Sequence, residues 1–292
     1  MNQDHKYLID YKHGRIKKGL GINCHLDNFI RHKKSELIFL LGHDNVGKSY
    51  WIFWYFLNLC LRHNLKVCMY AGENQKGQIL RDLIQMYAGV PFKEISDNDI
   101  LTYCNKIESH FVFIPNNKIY NPKELLELIY KSKCNIGLID PFTALNRDMG
   151  YEGNYKFLNT ARQFVNQTGI TLYINTHPVS ESGRAGNLYP QGHQWESMLK
   201  PPLKDHIEGG KAFLNRCDNL YILHRLTKSE EMRYYTMVNV EKIKDIDSGG
   251  QLTLMDQPIL CEFNYGLGFK INGIDPLDDL RGTINNEIEI PY

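Results

Sequence analysis

The feature that constrains the fold most is an eight-residue motif that begins at Gly42. Residues 42–49 read GHDNVGKS and fit the pattern G-x-x-x-x-G-K-[ST]. The apolar run 37–41 precedes the motif, and a helical pattern over residues 48–63 follows it. In this context the pattern predicts a phosphate-binding loop, whose backbone amides and helix N-terminus stabilise an anion. The alternative is an ordinary glycine-containing turn before a helix.

The loop predicts ATP or another NTP, together with Mg²⁺, as its ligands. Lys48 is expected to reach the β- and γ-phosphates, and the hydroxyl of Ser49 is expected to coordinate the metal ion. No motif in the chain reads the base, so the preferred nucleotide stays open. The residues expected to bind the nucleotide are Gly42, His43, Asp44, Asn45, Val46, Gly47, Lys48, Ser49 and Tyr50.

Short apolar runs alternate with helical patterns through most of the chain. The predicted strands are residues 37–41, 67–70, 111–114, 136–139, 171–175 and 220–223. The predicted helices are residues 48–63, 78–88, 122–131 and 152–166. Continuous apolar strands separated by helices are typical of an α/β fold with a mainly parallel central sheet, covered by helices on both faces.

The pattern changes after Arg225 and at the two ends of the chain. Strand patterns that predict an antiparallel C-terminal extension occur at residues 234–240, 251–254 and 259–263, with a turn at 248–250. Residues 1–34 are locally basic and predict an N-terminal arm or linker. This arm is either solvated or docked on another subunit or an acidic polymer. Residues 35–272 are expected to form the main domain, and residues 273–292 an acidic C-terminal tail.

Composition excludes several classes of protein. The formal net charge is +1, so the chain lacks a basic coat, and any contact with nucleic acid needs a local patch. The seven cysteines include no C-x-x-C pair, which argues against a zinc module or a disulfide framework. The apolar run 50–61 is shorter than the roughly 20 residues that span a bilayer. The polar start does not resemble a signal peptide, so the protein is expected to be cytoplasmic and to have no membrane partner.

Two carboxylates follow predicted strands. The strand 136–139 leads directly into Asp140, and the strand 67–70 leads into the sequence AGE, which ends at Glu73. Residues at the C-terminal ends of parallel strands lie at the ligand edge of such a sheet. We therefore assign Asp140 to Mg²⁺, with a helix N-cap as the alternative. Glu73 is expected to polarise the attacking water, or else it is a helix N-terminal glutamate that interacts favourably with the dipole.

His177 follows the predicted strand 171–175, again at the ligand edge. We interpret its imidazole as a sensor that contacts the γ-phosphate. The alternative is a loop histidine that bonds to a backbone carbonyl. In either case the residue marks the start of a long segment without a strand or helix pattern.

This segment, residues 178–208, is predicted to be a long loop. Loops longer than about 15 residues inside a compact domain are usually functional or mobile. Cations suit the phosphates of a single strand, and aromatic side chains suit its bases. The alternative is a surface lid. The residues expected to contact nucleic acid are Arg184, Lys200 and Lys204, with Tyr189 and Trp195 interleaved among them.

In combination, these motifs resemble the RecA-like core of the DnaB and Twinkle superfamily of hexameric replicative helicases. The branch that fits best is that of the phage primase–helicases, which use a histidine as the sensor. The resemblance covers about residues 20–272. The segments that carry it are residues 28–49, 71–83, 138–141, 175–178 and 205–225.

The resemblance implies that Glu73 is the catalytic base and that His177 is the sensor. It also implies a ring, usually a hexamer, that moves along single-stranded DNA and holds nucleotide at each subunit interface. Residues 208–210 read EGG and depart from the usual Arg-Gly-Ser-Gly pattern. We see no primase or N-terminal helical domain, so a separate primase or loader is expected as a partner. A motor of this size is expected from a phage or plasmid.

The related helicases also supply a cation from the neighbouring subunit, typically as a Lys-x-Arg pair on a late strand. Residues 242–244 read KIK, and alternation along a strand puts Lys242 and Lys244 on one face. Lys244 therefore stands at the arginine position, although lysine cannot bridge two phosphate oxygens. The alternative is a pair of solvated lysines on an edge strand. Arg225 and Arg233 are the next candidates.

The sequence as a whole predicts an ATP hydrolase that acts as a replicative DNA helicase. Two alternatives remain: a RecA-like recombination or annealing ATPase that forms filaments, and a nucleotide-regulated assembly scaffold. The motif at residues 205–225 favours the helicase over the first alternative. Glu73 argues against the second, because a scaffold needs no carboxylate that activates water.

Overall fold

A nine-stranded sheet forms the centre of the computed structural model, which describes residues 2–146, 148, 150–183, 185–254 and 256–281. The strands are β1 (Leu37–Leu41), β2 (Val67–Ala71), β3 (Phe111–Phe113), β4 (Ile136–Asp140), β5 (Thr171–Thr176), β6 (Asn219–His224), β7 (Tyr235–Ile243), β8 (Ile259–Phe263) and β9 (Phe269–Lys270). The helices are α1 (Gln3–Lys12), α2 (Lys48–His63), α3 (Lys76–Ala88), α4 (Asp97–His110), α5 (Pro122–Lys131), α6 (Tyr151–Thr168), α7 (Lys211–Arg216), α8 (Ile246–Gly249) and α9 (Asp278–Arg281).

The order of the strands confirms the predicted fold class. The strands lie in the order β3-β2-β4-β5-β1-β6-β7-β8-β9. The first six are parallel, and β7, β8 and β9 extend the sheet with antiparallel strands. Because parallel strands end at one edge of the sheet, the residues that follow β2, β4, β5, β1 and β6 meet there.

Alternate residues of the central strands enter two hydrophobic cores. From β1, Ile38 and Leu40 join the core beneath α2, α3 and α4, whereas Phe39 joins the core beneath α5, α6 and α7. Helix α2 is buried along most of its length, as its apolar sequence predicts, and Trp51 and Trp54 are fully buried. The sheet is therefore covered on both faces.

Several local features differ from the sequence-based expectations. Helix α4 is not predicted, because it is mostly polar and buries only Ile107 and His110. The predicted strand at residues 251–254 is wrong, since only Leu254 pairs there, in an isolated bridge with Gln257. The expected turn at 248–250 is made by the short helix α8, which ends at Gly249 and is followed by Gly250 with a φ of 123°.

Packing extends beyond the expected limits of the main domain at both ends. Ile22 and Ile30 are fully buried in the core beneath α2, and so is Leu277. Helix α1, by contrast, is largely exposed. The domain boundaries remain predictions, and most of the expected acidic tail, residues 282–292, lies outside the described part of the chain.

Among the helices that the structure describes, none is both long and apolar enough to cross a membrane. All seven cysteines are free thiols, as their spacing predicts. Five of them are buried, so packing accounts for most of these side chains.

Glu36, directly before β1, is a buried carboxylate whose titration affects stability. Its carboxylate accepts a hydrogen bond from Asn219 Nδ2 at 2.9 Å and lies 3.4 Å from Lys33 Nζ. Burial raises the pKa of Glu36 from 4.5 to about 7, although the charge of Lys33 opposes the rise. A raised pKa means that the ionised form is disfavoured in the folded state. The stability that the protonated form confers is therefore present below pH 4.5 and is lost as the pH rises through 7.

We expect Glu36→Gln to remove this loss and to make the protein more stable above pH 7 by up to about 3 kcal/mol. The glutamine side chain still offers an oxygen that accepts the hydrogen bond from Asn219. Lys33 keeps its ion pair with Asp245, in which Nζ and Oδ2 are 2.7 Å apart. Urea denaturation between pH 5 and pH 8.5 measures the effect. The matched control is Glu262→Gln on the exposed side of β8, which should follow the wild-type curve. If wild type and Glu36→Gln lose the same free energy of unfolding over this pH range, the titration of Glu36 does not cause the loss.

Candidate nucleotide-binding site

A cavity of about 510 Å³ lies at the edge of the sheet where the parallel strands end. It brings together residues that follow β1, β2, β4 and β5. Gly42 and His43 open the loop just outside this set. The residues that line the cavity are Asp44, Asn45, Val46, Gly47, Lys48, Ser49, Tyr50, Phe53, Glu73, Asn74, Asp82, Asp140 and His177.

The loop between β1 and α2 has the backbone geometry that its glycines predict. Gly47 has a φ of 87° and precedes the first residue of α2. A Cβ on Gly42 would lie 2.4 Å from the carbonyl oxygen of Leu223, so no other residue fits there. Lys48 Nζ donates to the carbonyl oxygens of Gly42 and His43 at 2.7 and 2.8 Å, which wraps the loop around the ammonium group. Burial lowers the pKa of Lys48, and the charge of Asp140 opposes this.

Asp140, the last residue of β4, is almost completely buried beside Ser49. Its Oδ1 accepts a hydrogen bond from Asn175 Nδ2 at 2.8 Å. Its Oδ2 is buried and has no hydrogen-bond partner among the residues that the structure describes. Burial raises the pKa of Asp140, whereas the nearby hydroxyl of Ser49, the hydrogen bond from Asn175 and the charge of Lys48 lower it. A carboxylate oxygen without a partner beside a serine hydroxyl fits a hard divalent cation such as Mg²⁺.

Asn175 is a site residue that the sequence analysis did not single out. It orients the carboxylate of Asp140 from the neighbouring strand β5. The available signal was an amide at the end of an otherwise apolar strand. Elsewhere, the described residues contain no group of three His, Cys, Asp or Glu side chains that could hold a further metal ion.

Glu73 lies in the turn that follows β2, with its side chain exposed to the cavity. Helix α3 begins only at Lys76, so Glu73 is not in its first turn, which argues against the helix-terminus alternative. Asn116 holds the turn in place, since its Nδ2 donates to the carbonyl oxygens of Ala71 and Asn74, both at 3.1 Å. Asn116 is therefore a second supporting residue that the sequence did not reveal.

His177 is paired with the phosphate-binding loop itself. Its Nδ1 lies 2.8 Å from Oδ1 of Asp44. Nδ1 of His177 therefore contacts a carboxylate, and not a backbone carbonyl as the alternative interpretation expects. The pair joins the end of β5 to the loop that follows the neighbouring strand β1.

Two solved structures share this arrangement of strands and helices. One, an ATPase domain, matches 92% of this chain and 98% of its own, with a TM-score of 0.70 and 11% sequence identity. The other, a DnaB-like replicative helicase reported with its interactions with primase, matches 92% of this chain and 68% of its own, with the same TM-score and identity. No protein-family model and no curated protein matches the chain.

The chain has the fold of a DnaB-like helicase ATPase domain. The DnaB-like fold confirms the predicted RecA-like architecture, with an antiparallel extension at the C-terminal side of the sheet. At 11% identity this likeness concerns the fold, so the roles of individual residues depend on their geometry.

The long segment 178–208 of this DnaB-like fold is not the structureless loop that the sequence predicts. It contains short 3₁₀ turns and an isolated bridge between Leu188 and Leu199. Tyr189 and Trp195 are 5% and 9% exposed and pack in a small core with Met237. The expectation that these two rings are available to stack on bases is therefore wrong, because they are buried in this small core.

The predicted cations of this segment lie in different environments. Lys204 is exposed, whereas Lys200 is half-buried, with its Nζ 5.8 Å from the centre of the Tyr189 ring. Arg184 lies outside the described residues. The segment also contacts the phosphate-binding loop. The Ser182 hydroxyl donates to the carbonyl of Val179, so it accepts at 2.9 Å from Nε2 of His43.

Arg225, which follows β6, is adjacent to the phosphate-binding loop of its own chain. Its Nη2 would lie 3.5 Å from a Cβ added to Gly47, and it donates to Thr236 Oγ1 at 3.1 Å. Its Nε is buried without a hydrogen-bond partner in the part of the chain that the structure describes. The guanidinium lies 5.6 Å from the ring centre of Phe263. Arg225 therefore lies beside the phosphate-binding loop of its own chain, although it does not line the nucleotide cavity.

Lys242 lies near the end of β7, and Lys244 follows the last residue of the strand. Lys242 Nζ donates to the carbonyl oxygens of Leu214 and Cys217 at the end of α7, so it is not free. Lys244 is 67% exposed, and its Nζ donates to Asp218 Oδ1 at 3.0 Å. Asp218 precedes β6, at the edge of the sheet opposite the nucleotide cavity. The length of β1 alone separates these edges by about 16 Å.

Proposed function

We propose that this chain is an ATP-driven replicative helicase motor that moves along single-stranded DNA as a ring and hydrolyses ATP at its subunit interfaces. The observation that carries the proposal is the cavity that unites the phosphate-binding loop with Asp140, Glu73 and His177. A loop that only bound an anion would need neither a buried carboxylate for a metal ion nor a second, exposed carboxylate beside it.

In the proposed reaction each residue of the cavity has one task. The loop amides and Lys48 bind the β- and γ-phosphates, and Ser49 and Asp140 hold Mg²⁺, which neutralises phosphate charge when it is bound. Glu73 accepts a proton from the attacking water and orients it. His177 contacts the γ-phosphate, in exchange for its contact with Asp44.

Lys244 is proposed to act on the nucleotide of a neighbouring subunit. Its location at the opposite edge of the sheet excludes a contact with its own nucleotide, and its exposure leaves it accessible to a second copy. Asp218 restrains its position. Burial raises the pKa of Asp218, but hydrogen bonds from Arg162, from the amide of Leu37 and from Lys244 outweigh this and hold the pKa below its usual value. The carboxylate that holds Lys244 therefore stays ionised.

The N-terminal arm is proposed to contribute to ring assembly. Helix α1 exposes Tyr7, Leu8 and Tyr11, which lie on one face at helical spacing. Exposed apolar side chains on one helix face are typical of a contact with another subunit. A separate primase or loader remains a proposed further partner.

The proposal is tested by measuring ATP turnover with and without single-stranded DNA, together with strand separation on a forked duplex. Stimulation of turnover by single strands and ATP-dependent separation are the expected results. Negative-stain images with ATP and DNA should show closed six-membered rings. Helical filaments would instead support the recombination alternative, and ATP binding without turnover would support the scaffold.

Lys200 and Lys204 are proposed to contact the phosphates of the strand. The double variant Lys200→Ala, Lys204→Ala is expected to bind single-stranded DNA more weakly and to reduce the slope of log K against log salt by about 1.4, since each phosphate contact contributes about 0.7. Fluorescence anisotropy over a salt series measures both quantities. The matched control, Lys123→Ala with Lys131→Ala on α5, removes the same charge elsewhere. An unchanged slope in the first variant would place the DNA contacts on other residues.

A further inference from the structure

A second cavity of about 500 Å³ lies outside the nucleotide site. It is bounded by the segment 189–203, by strand β7 and by residues 253, 254, 256 and 258. Its volume equals that of the nucleotide cavity within a few per cent and is typical of a small-molecule site. The apolar walls come mainly from Pro190, Pro201, Pro202, Leu203, Leu254 and Pro258.

Asn239 on β7 lines this cavity with an unpaired amide. The residue is nine-tenths buried, with 9% of its surface exposed. Its Nδ2 has no hydrogen-bond partner among the residues that the structure describes. A buried donor without an acceptor is costly, so a ligand that offers an acceptor to Asn239 would gain affinity.

The wall opposite β7 is preformed. The Tyr189 ring stacks on His193 at a centroid distance of 4.3 Å, and Trp195 meets Tyr189 edge-on at 5.3 Å. The bridge between Leu188 and Leu199 closes this part of the segment. Tyr189 and His193 therefore line the cavity in an arrangement that their own packing holds in place.

The charges around the cavity select for a particular kind of ligand. Glu241 and Asp256 line it and disfavour an anion inside. Lys200, which also lines it, has its ammonium above Tyr189 and favours a phosphate close by. A flat, neutral group with apolar faces and hydrogen-bonding edges, attached to a phosphate, meets all of these conditions, and a nucleobase has this chemistry.

We infer that this cavity binds an unstacked base of single-stranded DNA, with Asn239 at the base edge and Lys200 at the adjacent phosphate. The inference deepens the proposed function and rests on it, because it requires the segment 178–208 to contact the strand. It adds a contribution from the base to binding that would otherwise depend on the backbone.

The experiment compares two labelled oligonucleotides of equal length, one with bases and one with abasic residues throughout, in anisotropy titrations of the full chain with ATP. Wild type is expected to bind the abasic strand about tenfold more weakly, the scale of one base contact. Asn239→Leu removes the unpaired amide from the cavity. This variant should bind the two strands with nearly equal affinity, and its affinity for the abasic strand should match that of wild type. Leu203→Ala changes an exposed wall residue and should reduce the ratio without a risk to folding.

The matched control is Asn98→Leu, the same change on the exposed start of α4, which should retain the wild-type ratio. Equal binding of both strands by wild type would overturn the inference and leave the helicase proposal intact. If both Asn239→Leu and Leu203→Ala keep the wild-type ratio of affinities for the two strands, the inference is also overturned, because the bases would then bind elsewhere. Binding of neither strand by wild type would contradict the proposed function, and the inference with it.

Discussion

Glu73→Gln protein is expected to bind ATP with nearly wild-type affinity and to hydrolyse it at least about 100-fold more slowly. The amide keeps the size of the side chain but cannot accept a proton from water. Asp140 cannot replace Glu73, because it is buried and bonded to Asn175. Phosphate release at steady state measures turnover, and titration with a fluorescent nucleotide measures binding.

The matched control for this change is Asp82→Asn, which neutralises another carboxylate of the same cavity. It should retain turnover close to that of wild type, because Asp82 is on α3 and its carboxylate is bonded to Arg81. If the turnover of Glu73→Gln falls by less than about tenfold, a different residue acts on the water.

Lys244→Ala protein is expected to bind nucleotide normally and to lose DNA-stimulated turnover by about 100-fold or more. Cations supplied across an interface contribute about 10³ to 10⁵ in related NTPases, and lysine should supply less than arginine, because it binds one phosphate oxygen at a time. Mixing Lys244→Ala with Glu73→Gln should restore part of the activity. In a mixed ring, some interfaces combine the intact Glu73 of one variant with the intact Lys244 of the other.

The control for the mixing experiment is Lys228→Ala, an exposed lysine outside the nucleotide cavity. It should have normal turnover alone and should not be altered by mixing. Wild-type turnover in Lys244→Ala alone would show that the cation is elsewhere, and Arg233 is then the next candidate. Arg225 is a weaker candidate, since it lies beside the loop of its own chain.

The parallel sheet was the most predictable part of the fold. Most of its strands are buried on both faces, so they read as short apolar runs. The predicted strand 37–41 and helices 48–63 and 122–131 match β1, α2 and α5. Helix α4 carries no such signal, because it packs through only a few residues. Strand 251–254 fails for a related reason, since apolar residues in an exposed turn imitate a short strand.

The sequence predicts which strand ends supply the residues of the nucleotide cavity, but it does not predict which of these residues contact one another. The positions of Asp140 and Glu73 after apolar runs were sufficient to assign them to one edge of the sheet. The pairing of Asp44 with His177 depends on β5 lying next to β1, which the chain order does not reveal. Likewise, composition cannot distinguish an aromatic ring that is free to stack on a base from one, such as Tyr189, that is buried in a small hydrophobic core.

The distance between the nucleotide cavity and Lys244 determines how many complete active sites an assembly of subunits contains. The two lie at opposite edges of one sheet, so under the proposed action of Lys244 a subunit contributes to two different sites and completes neither of them alone. Such a contact is head-to-tail, and a row of n subunits joined in this way has n−1 complete sites and one unused half at each end. Only closure brings the two ends together, so that every subunit gains a complete site. In the proposed arrangement, turnover per subunit would therefore fall on dilution as closed assemblies open, even while each subunit stays folded.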